Sequence, residues 1–291
     1  MSKKVHIIGS NGYVGKAIFS ELSKTESIHT TGFSRRLIDN SCHPIESAKD
    51  YASYLTKEKP DFLILATGSP SVDASQIDPD TSLSTNFIEP STYLNALLEL
   101  SPNTIPVLIS SIYVFSPQNN NPLKSTFDEL SPPNPSSVYG QHKLLLEDYT
   151  IDNFENFLIL RLPFLLGNQH SKSDFINTVV NSSSILDKLE ISDTGRRFPT
   201  DVVWTAKKIK QLIEQQVTGI RHLSGSTAMT KYALACKILE ELGNAPQREI
   251  SIGTTNESWK RPDYLQLRSH YISEERDSFD LRKILIRYGL I

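Results

Sequence analysis

Val5-His6-Ile7-Ile8-Gly9-Ser10-Asn11-Gly12-Tyr13-Val14-Gly15 is an apolar run that breaks into glycines spaced three residues apart. Lys4 to Ile8 reads as a strand and a helix is expected from near Tyr13. The glycines then form the turn between them, where backbone N–H groups and the helix N-terminus can hold a pyrophosphate. Gly9 permits the turn, Gly12 lets the backbone approach phosphate, and Gly15 lets the helix pack closely. Asn11, Tyr13 and Val14 are the loop residues expected against the same nucleotide. Glycines are common in ordinary turns; the position directly after the first strand is what points to a nucleotide.

Outward from this loop, apolar strand-like runs at 5–8, 28–33, 62–66, 107–110 and 157–162 alternate with helical spacing at 17–24, 48–57, 84–100 and 139–150. That alternation implies βαβ units and an α/β fold, a Rossmann-type doubly wound parallel sheet covered on both faces. After Gly167 it loosens, with a further helix at 202–216 and a short strand at 222–223. We expect a nucleotide-binding domain over 1–163 and 202–224, and a smaller C-terminal substrate-binding lobe from 164–201 and 225–291. The stretch 116–137, rich in Pro and Asn, reads as a long loop ending at Ser137, a residue able to cap the next helix.

The end of the second strand decides the cofactor. An acidic residue there would bind a ribose 2′-hydroxyl; the chain has Ser34-Arg35-Arg36, and guanidiniums suit a 2′-phosphate. NADP(H) is favoured over NAD. His43 and Pro44 stand near the end of the third strand, where an Asp often meets the adenine, so adenine recognition is left without a candidate.

Tyr139-Gly140-Gln141-His142-Lys143 sets a phenol and an ammonium one helical turn apart on one face. Reduction of a ketone by a nicotinamide needs a proton for the developing alkoxide and a donor to polarise the carbonyl. Tyr139 can supply the proton. Lys143 can lower the phenol pKa and bind the nicotinamide ribose, and Ser111, at the end of the fifth strand, can bond the carbonyl.

Composition sets the bounds. With 38% hydrophobic and 22% charged residues and a net charge of -3, the chain is that of a globular protein with no general pull toward nucleic acid or anionic membrane. Cys42 and Cys236 are its two cysteines, without a CxxC pair, which excludes a disulfide framework or zinc ribbon and suits a reducing cytoplasm. The N-terminal apolar stretch is too short for a signal segment, and no run approaches a membrane span. No metal site is expected.

On these motifs the chain resembles the extended short-chain dehydrogenase/reductase superfamily and, within it, the dTDP-4-dehydrorhamnose reductase family, over nearly its whole length. The resemblance extends to Ala66-Thr67-Gly68, Asn86 opening a helix, Ser110-Ser111-Ile112-Tyr113-Val114-Phe115, Arg161-Leu162-Pro163, Leu166-Gly167, Pro199-Thr200, His222-Leu223-Ser224-Gly225 and Arg261-Pro262. It implies an NADPH-dependent oxidoreductase of a nucleotide-activated 4-keto-6-deoxy sugar, in carbohydrate biosynthesis. By the same resemblance Ser111, Tyr139 and Lys143 are catalytic, and Ala66, Thr67 and Gly68 join the cofactor site. Ser110, Tyr113, Phe164, Arg197 and Arg261 face the sugar nucleotide, and a homodimer is left open. The chain has Ile112 where the family usually has Asp, and Gly68-Ser69-Pro70-Ser71-Val72-Asp73 departs from the family's wording, so the particular sugar stays open. Two alternatives stand. One is a sugar-nucleotide epimerase or dehydratase, although Ser111 is followed by Ile112 and Tyr113 and not by a dehydratase's glutamates. The other is a non-catalytic NADP-binding regulatory subunit, since the regulatory chain of methionine adenosyltransferase also resembles these reductases.

Overall fold

The computed structural model describes residues 2–35, 42–117, 125–172, 174–185, 188–243, 249–252, 262, 264–272 and 278–291. In chain order the first half runs β1 (Lys3–Ile8), α1 (Tyr13–Leu22), β2 (Ile28–Ser34), β3 (Cys42–Pro44), α2 (Ala48–Glu58), β4 (Phe62–Leu65), α3 (Val72–Ile77), α4 (Pro79–Leu83), α5 (Glu89–Leu100) and β5 (Ile105–Ser111). There follow β6 (Thr126–Phe127), α6 (Val138–Asn153), β7 (Leu158–Leu162), β8 (Leu165–Leu166), α7 (Phe175–Ile185), β9 (Lys188–Ile191), β10 (Thr200–Asp201), α8 (Val202–Glu214) and β11 (Gly219–His222). The chain closes with α9 (Lys231–Glu241), β12 (Glu249–Ile252), β13 (Gln266–Leu267) and α10 (Leu281–Arg287).

Seven strands form one parallel sheet in the order β11-β7-β5-β4-β1-β2-β3. The strand order reverses between β1 and β4, and the crevice beyond their C-terminal ends is where such sheets take ligands. The period of two is visible along the strands: Val5, Ile7, Phe62 and Ile64 pack under α1 and α8, while Ile8, Leu63 and Leu65 pack under α2, α5 and α6. Both faces are buried, so the sheet is doubly wound.

A separate apolar cluster of Leu166, Ile176, Val179, Leu234, Ile238, Ile284 and Leu285 joins β8, α7, α9 and α10. Arg287 clamps it to the start of α8, donating to both carboxylate oxygens of Asp201 (2.7 and 3.0 Å) and to the Gly167 carbonyl. Among the described residues, no helix is long and apolar enough to cross a membrane.

Three local expectations are corrected. The helix expected over 84–100 is instead a longer helical run from Pro79 to Leu100 with a π-turn at Ser84–Ile88, and Asn86 sits inside that turn and does not open a helix. The short strand placed at 222–223 is Gly219–His222, the sheet's edge. The buried stripe of α6 includes Tyr139, Lys143, Glu147 and Thr150, a polar row that apolar spacing did not lead one to expect.

Candidate active site

The glycine loop packs against the end of β4. Gly9 has φ +83°, and a Cβ there would stand 2.7 Å from the Ala66 carbonyl oxygen; a Cβ on Gly15 would stand 2.1 Å from that of Gly9. Gly15 is therefore required by the loop itself more than by helix packing on the sheet. Ser47, Ser137, Asp201 and Thr230 cap their helices through side chains, whereas α1 begins at Gly12 with no side-chain cap. Gly12, Tyr13 and Val14 line the crevice, and a glycine at this position offers the first-turn N–H groups no capping side chain, an arrangement suited to phosphate. The adjacent Thr67 Oγ1 is buried with no hydrogen-bond partner. These features fit a dinucleotide.

The Tyr13 hydroxyl donates to Asp174, a buried carboxylate that also accepts from the Gly167 and Asn168 amides at 2.9 and 3.1 Å. The hydroxyl is thus committed to tying the glycine loop to the segment before α7, while Tyr13 still lines the crevice. Asn11 donates to Cys42 Sγ at 3.1 Å, linking the loop to β3.

Two cavities, of about 860 and 490 Å³, meet at Gly12 and at residues 66–68. The first is lined by Gly9, Asn11, Ser34 and Arg35; the second by Val14, Ser110, Ser111, Tyr113, Tyr139, Lys143, Phe164 and Arg197. Each is of a size usual for small-molecule sites. Arg36 and Arg261 lie outside the described residues.

The chemistry-bearing wall is made by the last residues of β5 read against α6. Ser137 caps α6 at the Gly140 amide (3.1 Å), and a Cβ on Gly140 would fall 2.0 Å from the Tyr113 carbonyl oxygen, so the helix presses directly on the turn after Ser111. This brings the Tyr139 phenol beside the Ser111 hydroxyl, near enough for that hydroxyl to favour its ionised form. Ser111 Oγ also accepts from the Tyr113 amide at 3.3 Å. Burial pushes the Tyr139 phenol up to about 12, with Ser111 pulling the other way. Lys143 donates to the Ile109 carbonyl at 3.0 Å, and burial pushes its ammonium down to about 8 against the opposing pull of Glu147. In this arrangement burial governs the phenol, and the Lys143 cation is turned to the strand backbone.

Ser110 lines the cavity, and its hydroxyl proton is given to Glu147, which leaves its oxygen as an acceptor. Glu147 in turn receives three bonds from the buried Arg161, at 3.1, 3.1 and 2.7 Å. Sequence reasoning passed over Glu147, although it continues the four-residue stripe of Tyr139 and Lys143. It passed over the role of Asn86 too. The π-turn aims Asn86 Oδ1 at the Ser69 amide (3.1 Å), while Nδ2 donates to Ser82, which is bonded to His142. Gly68 has φ +120°, and a Cβ there would stand 2.7 Å from Asn86 Oδ1 and 3.7 Å from Lys143 Nζ. Asn86 therefore holds the Gly68-Ser69 loop over the lysine; π-turns recur at functional sites for such aiming.

At the far end of the second cavity, Phe164 packs edge-on against Phe175 with the Lys231 ammonium 5.8 Å from its ring centre. Arg197 lines the same end and donates to the Pro262 carbonyl. Lys231, another cation there, was missed because nothing in its local sequence separates it from a solvated helix start.

Known proteins resemble this chain over most of its length. The family model for the RmlD substrate binding domain matches residues 3–282. Methionine adenosyltransferase 2 subunit beta of Xenopus laevis is 26% identical over 277 residues, covering 89% of this chain and 79% of that one. The dTDP-4-dehydrorhamnose reductase structure from Clostridium acetobutylicum superposes with a TM-score of 0.80 at 23% identity, covering 98% of both chains. That from Bacillus anthracis, in complex with NADP, gives 0.81 at 20% identity, covering 100% and 98%.

Proposed function

The chain belongs to the RmlD substrate binding domain family, and from that membership we propose that it is an NADPH-dependent reductase of a nucleotide-activated 4-keto-6-deoxy sugar. The observation that carries the proposal is the wall on which Ser111, Tyr139 and Lys143 stand together, in a cavity that opens at Gly12 into the glycine-loop cavity.

NADPH, when bound, supplies hydride; the α1 N-terminus, Thr67 and Arg35 would hold its phosphates and ribose. Ser111 donates to the substrate carbonyl oxygen, and Tyr139 delivers its phenolic proton to that oxygen as negative charge develops. Lys143 leaves the Ile109 carbonyl for the nicotinamide ribose and stabilises the transient phenolate. Arg197 and Lys231 offer positive charge to the diphosphate of the sugar nucleotide, with Arg261 proposed beside them. The test is oxidation of NADPH against a panel of nucleotide-activated 4-keto-6-deoxy sugars. Turnover that requires Tyr139 supports the reading, and NADPH binding without turnover on any member argues against it.

A second reading is favoured by one observation, the similarity over 89% of the chain to a methionine adenosyltransferase subunit. On that reading the nucleotide site is kept and chemistry is not. Co-purification with a methionine adenosyltransferase catalytic chain, with altered activity of that chain and no NADPH oxidation, would establish it.

A further inference from the structure

Arg35 alone would make the corner beyond β2 cationic, but Glu89 brings a carboxylate into it. Glu89 lies in the first turn of α5 and reaches across the glycine-loop cavity, with Arg35 NH1 3.4 Å from both of its carboxylate oxygens. Both side chains line the cavity with Ser34, Gly12 and Thr67.

The pair is loose. A single guanidinium nitrogen is engaged at the long end of hydrogen-bond distance, and the Arg35 side chain is 58% exposed against 23% for Glu89. Arg35 can leave at small cost, as exposed pairs do. Glu89 is the fixed member, on a helical turn where Thr92 Oγ1 bonds its carbonyl at 2.6 Å. Its charge is felt nearby: burial first and Glu89 second push the Tyr93 phenol up to about 12.

We propose that Glu89 is a specificity-determining residue that sets how far this site prefers a 2′-phosphorylated adenosine ribose over an unphosphorylated one. The inference rests on the reading of this cavity as a nicotinamide-dinucleotide site. A 2′-phosphate gripped by Arg35 must displace Glu89 and then stand beside its negative charge. A bare 2′-hydroxyl donates to that carboxylate and leaves Arg35 where it is. Arg35 therefore pulls the site toward NADPH, and Glu89 pulls it back toward NADH.

Calorimetric titration of NADPH, NADH and adenosine 2′,5′-bisphosphate into the wild type, Glu89→Gln and Arg35→Ala tests this. Glu89→Gln keeps the shape and removes the charge, and a loose exposed pair is not needed for folding, so its melting temperature should stay that of the wild type. The NADPH-to-NADH affinity ratio is expected to rise on the order of tenfold in Glu89→Gln, with adenosine 2′,5′-bisphosphate tightening in parallel. Arg35→Ala should lower the same ratio. A ratio within about twofold of wild type in Glu89→Gln, or equal losses for both dinucleotides, overturns the assignment to Glu89 while leaving the nucleotide site standing. Wild-type protein that binds neither dinucleotide overturns the site and the assignment together.

Discussion

Lys143 donates to the carbonyl of Ile109 at 3.0 Å, so the cation of this site is parked on the backbone of β5. To serve a bound ribose it must exchange that acceptor, and it must carry a proton to do so. Burial has already brought its pKa down to about 8.

NADPH affinity is therefore expected to fall as pH rises from 7 to 9, following loss of the Lys143 proton, and Lys143→Met should flatten the dependence. The sign for stability is the opposite. Between about 8 and the ordinary 10.5 the unfolded chain holds this proton and the folded one does not, so Lys143 makes folding more favourable as pH rises across that window. Titrations of NADPH at several pH values decide the first point; an affinity flat from pH 7 to 9 would show that the ammonium is not used.

Tyr139→Phe should reduce turnover by about 10²–10⁴-fold, the usual weight of a general acid, with NADPH affinity nearly unchanged because the ring and Lys143 stay in place. The measurement is steady-state kinetics beside direct cofactor titration. Near-normal turnover would remove Tyr139 from the chemistry.

Glu147→Ala leaves the Arg161 guanidinium, with a side chain 2% exposed, without its carboxylate. Breaking a buried pair by deleting one member costs about 3–5 kcal/mol. Lys24→Ala removes the partner of Glu21 in an exposed pair and should cost no more than about 1 kcal/mol. Urea denaturation of both variants separates the two cases, and equal losses would refute the contrast.

Gly15→Ala drives a Cβ to 2.1 Å from the Gly9 carbonyl oxygen, so loop or helix must shift. A loss of about 1–3 kcal/mol is expected from such overpacking, together with weakened NADPH binding. Retention of both wild-type stability and wild-type affinity would mean that the loop yields freely.

Much of this architecture is legible in sequence because its causes are local. The alternation of Val5, Ile7 and Ile8 between sheet faces, the glycine spacing and the Ser137 cap each act within a few residues. The elements missed act across the fold. Asn86 matters because a π-turn rotates it toward Ser69, seventeen residues back. Glu147 carries no local signal of its role, because Arg161 and Ser110 converge on it from two different strands. The direction of the phenol's shift depends on how thoroughly β5 and α6 exclude water from Tyr139, which spacing along one helix does not report.

Gly140 lines neither cavity, yet it sets how near the helix of Tyr139 comes to Ser111. Any side chain there would collide with the backbone of Tyr113 before it reached the cavity. In a saturation library scored only for cellular abundance, position 140 should stand out as sharply as the core leucines. Selection for folding and selection for chemistry would there converge on one letter, and lineages that had abandoned the reaction would still be expected to keep it.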